Sequence, residues 1–293
     1  MPEQLALIEE RVPEHFSVSE LREFMTCPLR WWYRYRAGLR TEKTTSYFAL
    51  GTAVHSGLGA WYWHYKTSGE REKALELYRQ TYLEESAKVD WRLEPAKKDP
   101  FEQKTRGEEM LMAAIAAGDD WEAESVEETL YAELTHSKFG KLPIPIKMVL
   151  DMRLTNNDIV EHKTSDRKWA ANREHSDIQA TAYIAGVREN YGHDPLLTFN
   201  IISNAAGGPV VDRRPTRRTQ DELDKLYVHA RGLLNAMEKG AIFPNPTAYI
   251  HNTCEYRRLC DKWESHPQPL PTTRSGLTRM LPSLSEKALP ELK

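Results

Sequence analysis

The sequence predicts an α/β protein in which a central mixed β-sheet is flanked by helices, with a helical region at the N-terminus. Two observations lead to this class. The first 118 residues carry mostly helical patterns, and from residue 125 onward β-rich segments alternate with helices. After the helical region come three strands, a helix, two strands and a helix, which is the order expected of a sheet covered by helices.

Four helices are expected in the N-terminal region. The first begins at Ser17 or Ser19, either of which can act as its N-cap, is interrupted near Pro28 and ends at Gly38. Helical patterns predict the other three at 51–65, 70–89 and 101–118.

The sheet is expected from five β-rich segments, at 125–134, 144–154, 158–165, 196–204 and around 210–213. The turn signal TNND joins the second and third of these into a hairpin. An Ala-rich helix at 175–190 separates the third strand from the fourth. The last helix begins at a capping box formed by Thr219 and Glu222 and runs to Gly240.

These patterns divide the chain into four expected regions: a helical region over 1–118, a sheet-containing core over 119–240, a cysteine-bearing segment over 241–263 and a weakly ordered tail over 264–293. The chain has no run of about 18 apolar residues and no basic, signal-like N-terminus, so we expect a cytoplasmic protein without a membrane partner. The formal net charge of -3 gives no general electrostatic reason to bind nucleic acid.

The local charge pattern is different from the global one. Arginines alternate with aromatic residues in RWWYRYRAGLR (30–40), and DRRPTRR (212–218) is a second basic cluster. Interleaved guanidinium and aromatic groups suit phosphates and unstacked bases, which makes Arg30 and Arg34 candidate substrate contacts. The alternative is a helix with an aromatic core face and solvated arginines, and the pattern alone favours that alternative.

A possible cation site lies on the predicted hairpin, where Asp151, Glu161 and Lys163 form a D-x9-E-x-K pattern. Side chains alternate along a strand, so Glu161 and Lys163 share a face, and Asp151 joins them only if it pairs with an odd-numbered residue. A two-residue loop would pair Asp151 with His162, whereas a three-residue loop or a bulge, helped by an Asn in the left-handed conformation, restores the site.

Two converging carboxylates and an ammonium would suit phosphodiester chemistry. Carboxylates bind Mg2+ or Mn2+, which polarises a phosphodiester and acidifies bound water, while the lysine orients or deprotonates that water. The alternative is a chance match on an exposed hairpin, because the chain has 43 acidic and 40 basic residues.

Five motifs in order carry a resemblance to a known family: SELREFMTCPLRWWYRY (19–35), GTAVH (51–55), the D-x9-E-x-K pattern, QATAY (179–183) and the C-terminal cysteines. Together they resemble the PD-(D/E)XK nuclease superfamily, in particular its iron-sulfur branch with RecB-like and AddB-like exonuclease domains and CRISPR-adaptation nucleases. The resemblance implies a restriction-endonuclease-like core, which would be the region 119–240. It also implies a Mg2+- or Mn2+-dependent deoxyribonuclease.

The activity implied by the resemblance is that of an exonuclease acting on DNA with single-stranded ends, in DNA repair, recombination or replication. Two alternatives remain open. One is an endonuclease or a nuclease subunit that works with a separate helicase or recombination protein. The other is a non-catalytic DNA-binding scaffold, against which the retained Asp151, Glu161 and Lys163 argue.

The resemblance also assigns site residues. Its metal-binding and catalytic positions correspond to His55, Asp151, Glu161 and Lys163. Gln179 and Tyr183 match a Q-x-x-x-Y helix motif for substrate binding, and at i and i+4 they share one helical face. Without the family context, His55 would be interpreted as a core histidine and Gln179 as a surface amide.

The chain departs from the family pattern at two positions. Met148 stands where the family usually has a small residue, often glycine, and His162 stands where an apolar or aromatic residue is common. Neither change removes a ligand. A further carboxylate is expected from the helical region, with Glu108 or Glu109 as the candidates.

The three cysteines of the chain are an odd number, which favours reduced thiols or metal ligands over disulfides. In the iron-sulfur branch, one cysteine near the N-terminus and three near the C-terminus hold a cluster. The matching positions are Cys27, His251, Cys254 and Cys260. This set suits a 4Fe-4S cluster or a Cys3His Zn2+ site, and the resemblance favours the cluster. The third alternative is three unconnected buried thiols.

Overall fold

The structure is a computed structural model that describes residues 13–39, 44–92, 94–95, 99–205 and 207–265. Most of the predicted weakly ordered tail, from residue 266 on, lies outside the described residues. The chain divides into two compact units. The terminal unit comprises 1–42, 142–145 and 227–293, and the sheet unit comprises 43–141 and 146–226. The four-region division expected from the sequence stays a prediction.

Nine helices are described, and their bounds are α1 Val18–Thr26, α2 Pro28–Trp31, α3 Ser46–Ala60, α4 Arg71–Ser86, α5 Pro100–Ala116, α6 Arg173–Ser176, α7 Ile178–Tyr191, α8 Gln220–Lys239 and α9 Arg257–Ser265. The described strands are β1 Phe16–Ser17, β2 Ala123–Ala132, β3 Thr135–His136, β4 Gly140–Lys141, β5 Ile146–Leu154, β6 Ile159–Ser165, β7 Leu197–Ala205 and β8 Gly208–Thr216. Single π-helical turns follow α2 at Trp32–Arg36 and α3 at Trp61–Tyr65.

The sheet unit is built on a mixed sheet whose strand order is β2-β5-β6-β7-β8. β6 and β7 run parallel because α7 lies between them in the chain, and the other neighbouring pairs are antiparallel. One face of the sheet packs on α3, α4 and α5 through a buried cluster that includes Leu58, Tyr78 and Leu111 from the helices and Met152, Val160 and Ile202 from the strands. The predicted fold class, a mixed sheet flanked by helices, is confirmed.

The terminal unit contains α1 and α2, which follow each other with a break at one residue. The Ser17 hydroxyl caps α1 by accepting from the backbone N–H of Glu20, as predicted. Cys27 is extended and separates the two helices, and Pro28 begins α2, where its missing N–H costs nothing. Apolar residues then collect around Cys260; those buried beside it are Leu29, Tyr33, Leu39 and Tyr256.

The start of α3, a short hairpin and the cap of α8 can be compared with the predictions from the sequence. α3 begins at Ser46 rather than 51, with Thr45 as its N-cap. The hairpin formed by β3 and β4 was not predicted, because its two-residue strands are too short to show periodicity. The capping box at α8 is confirmed, since Thr219 and Glu222 bond each other reciprocally. Among the described helices, none combines the length and apolar character that crossing a bilayer requires.

Candidate active site

The hairpin of β5 and β6 has the register that the site requires. Met152 pairs with Val160 and Arg153 pairs with Ile159, so Asp151 is opposite Glu161. Leu154 and Asp158 close a three-residue loop, in which Asn157 has a φ of 65°. The left-handed asparagine adds the residue that a two-residue turn would lack, and the predicted condition for bringing the carboxylates to one face is confirmed.

Asp151 lies at the centre of the site and is approached from α3 and from β6. Its Oδ2 is 3.4 Å from Nδ1 of His55 and accepts a hydrogen bond of 2.7 Å from the backbone N–H of His162. His55 sits on α3, whose Gly51 brings the helix close to β6: a Cβ there would be 3.2 Å from Oγ1 of Thr164. The structure therefore brings His55 and Asp151 together.

Glu161, Lys163 and two residues of α7 form one hydrogen-bonded network. The Lys163 ammonium donates to Oε1 of Glu161 and, over 2.9 Å, to Oε1 of Gln179. The amide nitrogen of Gln179 donates to Glu161 Oε1 and to the Tyr183 hydroxyl, both at 2.7 Å. The Q-x-x-x-Y motif thus contacts the lysine and the glutamate directly, and Gln179 orients both groups.

Burial and neighbouring charges together shift the pKa values of the site residues. Burial raises the pKa of Glu161 well above its ordinary value, and the Asp151 carboxylate raises it further. Burial would also raise the pKa of Asp151, but His55, His162 and Lys163 outweigh it and hold that pKa below its usual range. For Lys163 the carboxylates outweigh the burial that would lower its pKa, so the lysine remains an ammonium.

One buried oxygen of this site has the chemistry of a cation ligand. Glu161 is 1% exposed, yet its Oε2 is buried and has no hydrogen-bond partner among the described residues. An orphaned carboxylate oxygen is costly unless something positive binds it, and hard cations prefer such oxygens. In the described part of the chain, however, no three His, Cys, Asp or Glu side chains already lie close enough to hold a metal ion.

His162 points to the opposite side of β6 from Glu161 and Lys163. Its ring stacks on Tyr62 with centroids 5.6 Å apart, and its Nδ1 is 3.1 Å from the Asn200 amide. Burial lowers the pKa of His162 to about 4, so the ring is neutral at pH 7. The histidine therefore occupies the core position where an apolar residue was expected.

Met148 is accommodated by a glycine on the facing helix. It is 2% exposed, and a Cβ at Gly186 of α7 would be 2.2 Å from its Sδ. The large residue of this contact, Met148, is thus on β5, and the small residue, Gly186, is on α7. This exchange explains how the chain tolerates Met148 three residues before Asp151.

The two residues predicted to supply a further carboxylate lie on α5: Glu108 pairs with Arg79 at 2.8 Å and with Lys104 at 3.6 Å, and Glu109 is exposed. That prediction stays a prediction. The acidic residue that lies next to the site is Glu127 of β2, whose pKa burial raises and the nearby Asp151 raises further. It is one of four glutamates in EAESVEE (122–128), and no sequence signal distinguishes it from the others.

The four proposed cluster ligands line one pocket in the terminal unit. Cys27, His251, Cys254 and Cys260 share its walls with Tyr33 and Arg257. Burial raises the pKa of Tyr33, and the nearby Cys260, Cys254 and Cys27 raise it further. No disulfide joins the three cysteines. Arg257 contacts Nε2 of His251; because a guanidinium only donates, Nε2 accepts, and in the neutral ring Nδ1 then carries the proton.

The basic and aromatic segment forms part of the terminal unit's interior. Trp31 and Tyr33 are buried, so neither ring is available to stack on a base. Arg30 forms ion pairs with Glu255, at 2.9 Å, and with Glu23. Arg34 is 41% exposed, and its ion pair with Glu23 is long, at 4.0 Å. Of the two predicted substrate contacts, Arg34 has the more available charge.

Comparisons with known proteins bear on the fold and on the family of this chain. The crystal structure of a candidate exonuclease from Eubacterium rectale superposes with a TM-score of 0.55 at 16% identity, covering 90% of this chain and 93% of that one, which shows a shared fold. A second structure, that of the protein SSO0001, has a TM-score of 0.34 at 12% identity over 75% of this chain and 86% of its own. No curated protein matches.

A family model provides the direct assignment. The model of the PD-(D/E)XK nuclease superfamily matches residues 15–261, which include both carboxylates of the hairpin, the lysine, the Q-x-x-x-Y helix and the three cysteines. The sheet with its carboxylate hairpin and the match over most of the chain lead to the same assignment. The chain belongs to the PD-(D/E)XK nuclease superfamily.

Proposed function

We propose that the protein is a Mg2+- or Mn2+-dependent deoxyribonuclease that hydrolyses phosphodiester bonds as an exonuclease. The observation that supports this function most directly is the orphaned Oε2 of Glu161, buried opposite Asp151 and next to Lys163. A structural ion pair would leave no buried carboxylate oxygen without a partner, whereas a cation-binding carboxylate needs one lone pair available.

Each residue then has a role that follows from its contacts. Asp151, Glu161 and His55 would hold the cation, which supplies charge neutralisation and an acidified water when bound. The Lys163 ammonium stabilises negative charge developing on the phosphate, because its raised pKa keeps it protonated. Gln179 positions Lys163 over 2.9 Å and Glu161 over 2.7 Å, so it fixes the distance between the two groups.

The test uses end-labelled linear DNA and circular single-stranded DNA, each titrated with Mg2+ and Mn2+. We expect wild-type protein to degrade the linear substrate in a metal-dependent way, and Lys163→Ala and Asp151→Ala to lose at least a hundredfold of that rate, as loss of an electrostatic catalytic group does. Lys73→Ala is the matched control, since it removes a lysine that is paired with Glu70 on the surface of α4.

The substrates separate the alternatives. Loss of the linear but not of the circular substrate supports an exonuclease with a preference for DNA ends, as would suit repair, recombination or replication. Cleavage of the circle would replace this proposal by an endonuclease. Undiminished activity of Asp151→Ala would rule out the site.

We also propose that Cys27, His251, Cys254 and Cys260 hold a 4Fe-4S cluster, with a structural role. The support is that one pocket collects every cysteine of the chain together with His251. A cluster there would connect residue 27 to residue 260 and close a long loop, whose closure entropy otherwise opposes folding.

Anaerobic purification tests this second proposal. We expect a brown protein that carries iron and acid-labile sulfide, a centre that survives in His251→Cys, and loss of that centre in His251→Ala and Cys27→Ser. Colourless protein with one equivalent of Zn2+ would replace the cluster by a Cys3His zinc site.

A further inference from the structure

We propose that Phe48 of α3 is a stacking contact for an unpaired base of the DNA substrate, at the edge of the candidate active site. This inference rests on the proposed function, because it names the single-stranded form of the substrate that the same site would take. Phe48 lies between the motifs at 19–35 and 51–55 and belongs to neither of them.

Phe48 and His55 lie on the same side of α3. They are seven residues apart, which at about 3.6 residues per turn is just under two full turns, so their side chains leave the helix in nearly the same direction. Nδ1 of His55 is 3.4 Å from Oδ2 of Asp151, so this side of α3 is the one that meets the site. The helical rise separates Phe48 from His55 by about 10 Å, or about three steps of a stacked strand.

Two aromatic rings are exposed at this end of α3. Phe48 is 62% and Tyr47 is 43% exposed, and the two rings meet edge to face with their centroids 6.0 Å apart. The Tyr47 hydroxyl donates to the carbonyl of Thr164 over 2.8 Å. Because Thr164 directly follows Lys163 in β6, the aromatic pair is connected to the strand that carries the lysine. Exposed aromatic rings next to a reaction centre are the groups on which single-stranded bases stack.

The N-terminus of α3 holds Phe48 in place before any substrate binds. The Thr45 hydroxyl caps the helix by accepting from the backbone N–H of Phe48. Glu94 accepts from the backbone N–H of Ser46 at 2.9 Å and from its hydroxyl at 2.6 Å. A ring on a fixed helix loses little conformational freedom on binding, and the Glu94 carboxylate disfavours a phosphate at the helix end. The exposed rings are therefore what this end of α3 offers to a strand.

A cleft lies between α3, α5 and the end of β6, next to the aromatic pair. The residues that line it include Tyr47, Leu50, Arg106, Met110, Thr164 and Asp166. Leu50 and Met110 are buried and apolar, whereas Arg106 and Asp166 form an ion pair of 2.6 Å. A cleft with both apolar and hydrogen-bonding groups suits a base, whose face is apolar and whose edge is polar.

The turn after β6 supplies positive charge for the phosphates of the same strand. Ser165 and Asp166 line the cleft, and Arg167 and Lys168 follow them in the chain. Arg167 and Lys168 are exposed, and neither side chain forms an ion pair with another residue that the structure describes. Cations without a partner beside exposed rings suit single-stranded DNA, because the rings bind bases and the cations bind phosphates.

Stacking on Phe48 selects for unpaired bases. Inside a duplex both faces of a base are covered by its neighbours, so an exposed ring finds a free face only on a single strand or at an end. The inferred substrate is therefore a single strand or an opened end, and the interior of a duplex is excluded.

The test measures binding of the full-length protein to a fluorescent oligothymidine strand in EDTA, which removes the cation that cleavage requires. A second strand of equal length carries abasic sites throughout and keeps only sugars and phosphates. We expect Phe48→Ala to weaken binding of the thymidine strand about tenfold, as removal of one stacking contact does, and to leave binding of the abasic strand unchanged. Equal weakening for both strands, or no weakening for the thymidine strand, would overturn the inference.

Further variants separate stacking from bulk and from folding. Phe48→Trp keeps an aromatic face and should bind the thymidine strand at least as tightly as wild type, whereas Phe48→Leu should bind as weakly as Phe48→Ala. Phe139→Ala removes a phenylalanine that is 47% exposed between β3 and β4, and as the matched control it should bind as wild type does. Because Phe48 is exposed, its variants should keep the melting temperature to within about 1 °C. Wild-type affinity in Phe48→Leu would contradict stacking.

Kinetics distinguish this inference from the proposed function. With Mg2+ or Mn2+, Phe48→Ala should raise KM for linear single-stranded DNA with little change in kcat, because a contact away from the cleaved bond contributes equally to the ground state and the transition state. If wild-type protein degrades DNA and Phe48→Ala binds it as tightly, only the stacking contact is wrong. If wild-type protein degrades no DNA while Phe48→Ala shows the base-dependent loss of binding, the stacking contact stands and the proposed nuclease activity is wrong.

Discussion

Replacing Gly186 by alanine should destabilise the protein, although alanine is the better helix former. Gly186 lies within α7 and faces Met148 of β5, the residue three positions before Asp151. The added Cβ would be 2.2 Å from Sδ and 3.0 Å from Cε of Met148. Ordinary contacts between such atoms are about 3.5–4.0 Å, so the overlap with Sδ exceeds 1 Å. Met148 is 2% exposed, so its thioether end would have to repack within the core.

The magnitude follows from two opposing effects. Overpacking a buried site costs about 1–3 kcal/mol. A glycine-to-alanine change inside a helix contributes about 1 kcal/mol of stability. The net expectation for Gly186→Ala is about 1 kcal/mol of destabilisation. Gly232→Ala, inside α8 and with nothing within 4 Å of its added Cβ, should show only the stabilisation of about 1 kcal/mol.

The assay is thermal unfolding followed by far-ultraviolet circular dichroism. A difference of about 2 kcal/mol between the two variants corresponds to about 3 °C in melting temperature for a chain of 293 residues, because the entropy of unfolding is about 2.1 cal/mol/K per residue. In a Met148→Ala background the clash is absent, so Gly186→Ala should become stabilising there. A rise in melting temperature for Gly186→Ala alone, equal to that of Gly232→Ala, would refute the packing argument.

Three further predictions concern His162, Asn157 and Gly107. His162 is buried with a pKa of about 4, so between pH 6.5 and pH 4 this histidine takes up a proton only in the unfolded chain. The free energy of unfolding should therefore fall by about 3 kcal/mol over that range. In His162→Gln, urea titrations should show a smaller dependence of that free energy on pH. Asn157→Ala should cost about 1–2 kcal/mol more than Asn157→Gly at a φ of 65°, measured by the same titrations, and equal losses would contradict it. Gly107→Ala should lower the melting temperature because its Cβ would be 2.1 Å from the Tyr78 hydroxyl, and Tyr78→Phe should relieve part of the loss.

Local patterns were enough to predict the elements and the central part of the site. The side-chain period of a strand made Asp151 depend on an odd-numbered partner, and the asparagines of the turn provided the loop that satisfies this condition. Gln179 and Tyr183 are four residues apart on one helix, so their shared face also followed from local geometry. These features depend on residues close together in sequence, where backbone periodicity fixes direction.

The basic segment shows where such reasoning stops. Alternating arginines and aromatics are compatible with base stacking and with a core face, because a sequence does not say which side of a helix is covered. In the structure Trp31 and Tyr33 are buried and Arg30 is held by Glu23 and Glu255. Burial and ion pairing involve partners far away in the chain, so they had to be observed.

The sequence by itself determined the fold class, the nuclease resemblance and the hairpin that carries Asp151, Glu161 and Lys163, because all of these are written in periodicity and short motifs. Only the tertiary structure decided which acidic residues come near Asp151: Glu108 is paired with Arg79, whereas the strand register places residue 127 across from residue 151. Which glutamate comes near Asp151 depends on the register between β2 and β5 and on the left-handed conformation of Glu127. The sequence has four glutamates between residues 122 and 128 and does not distinguish among them. The packing of Met148 against Gly186 also had to be observed in the structure, because the two residues are far apart in sequence and come into contact only after folding.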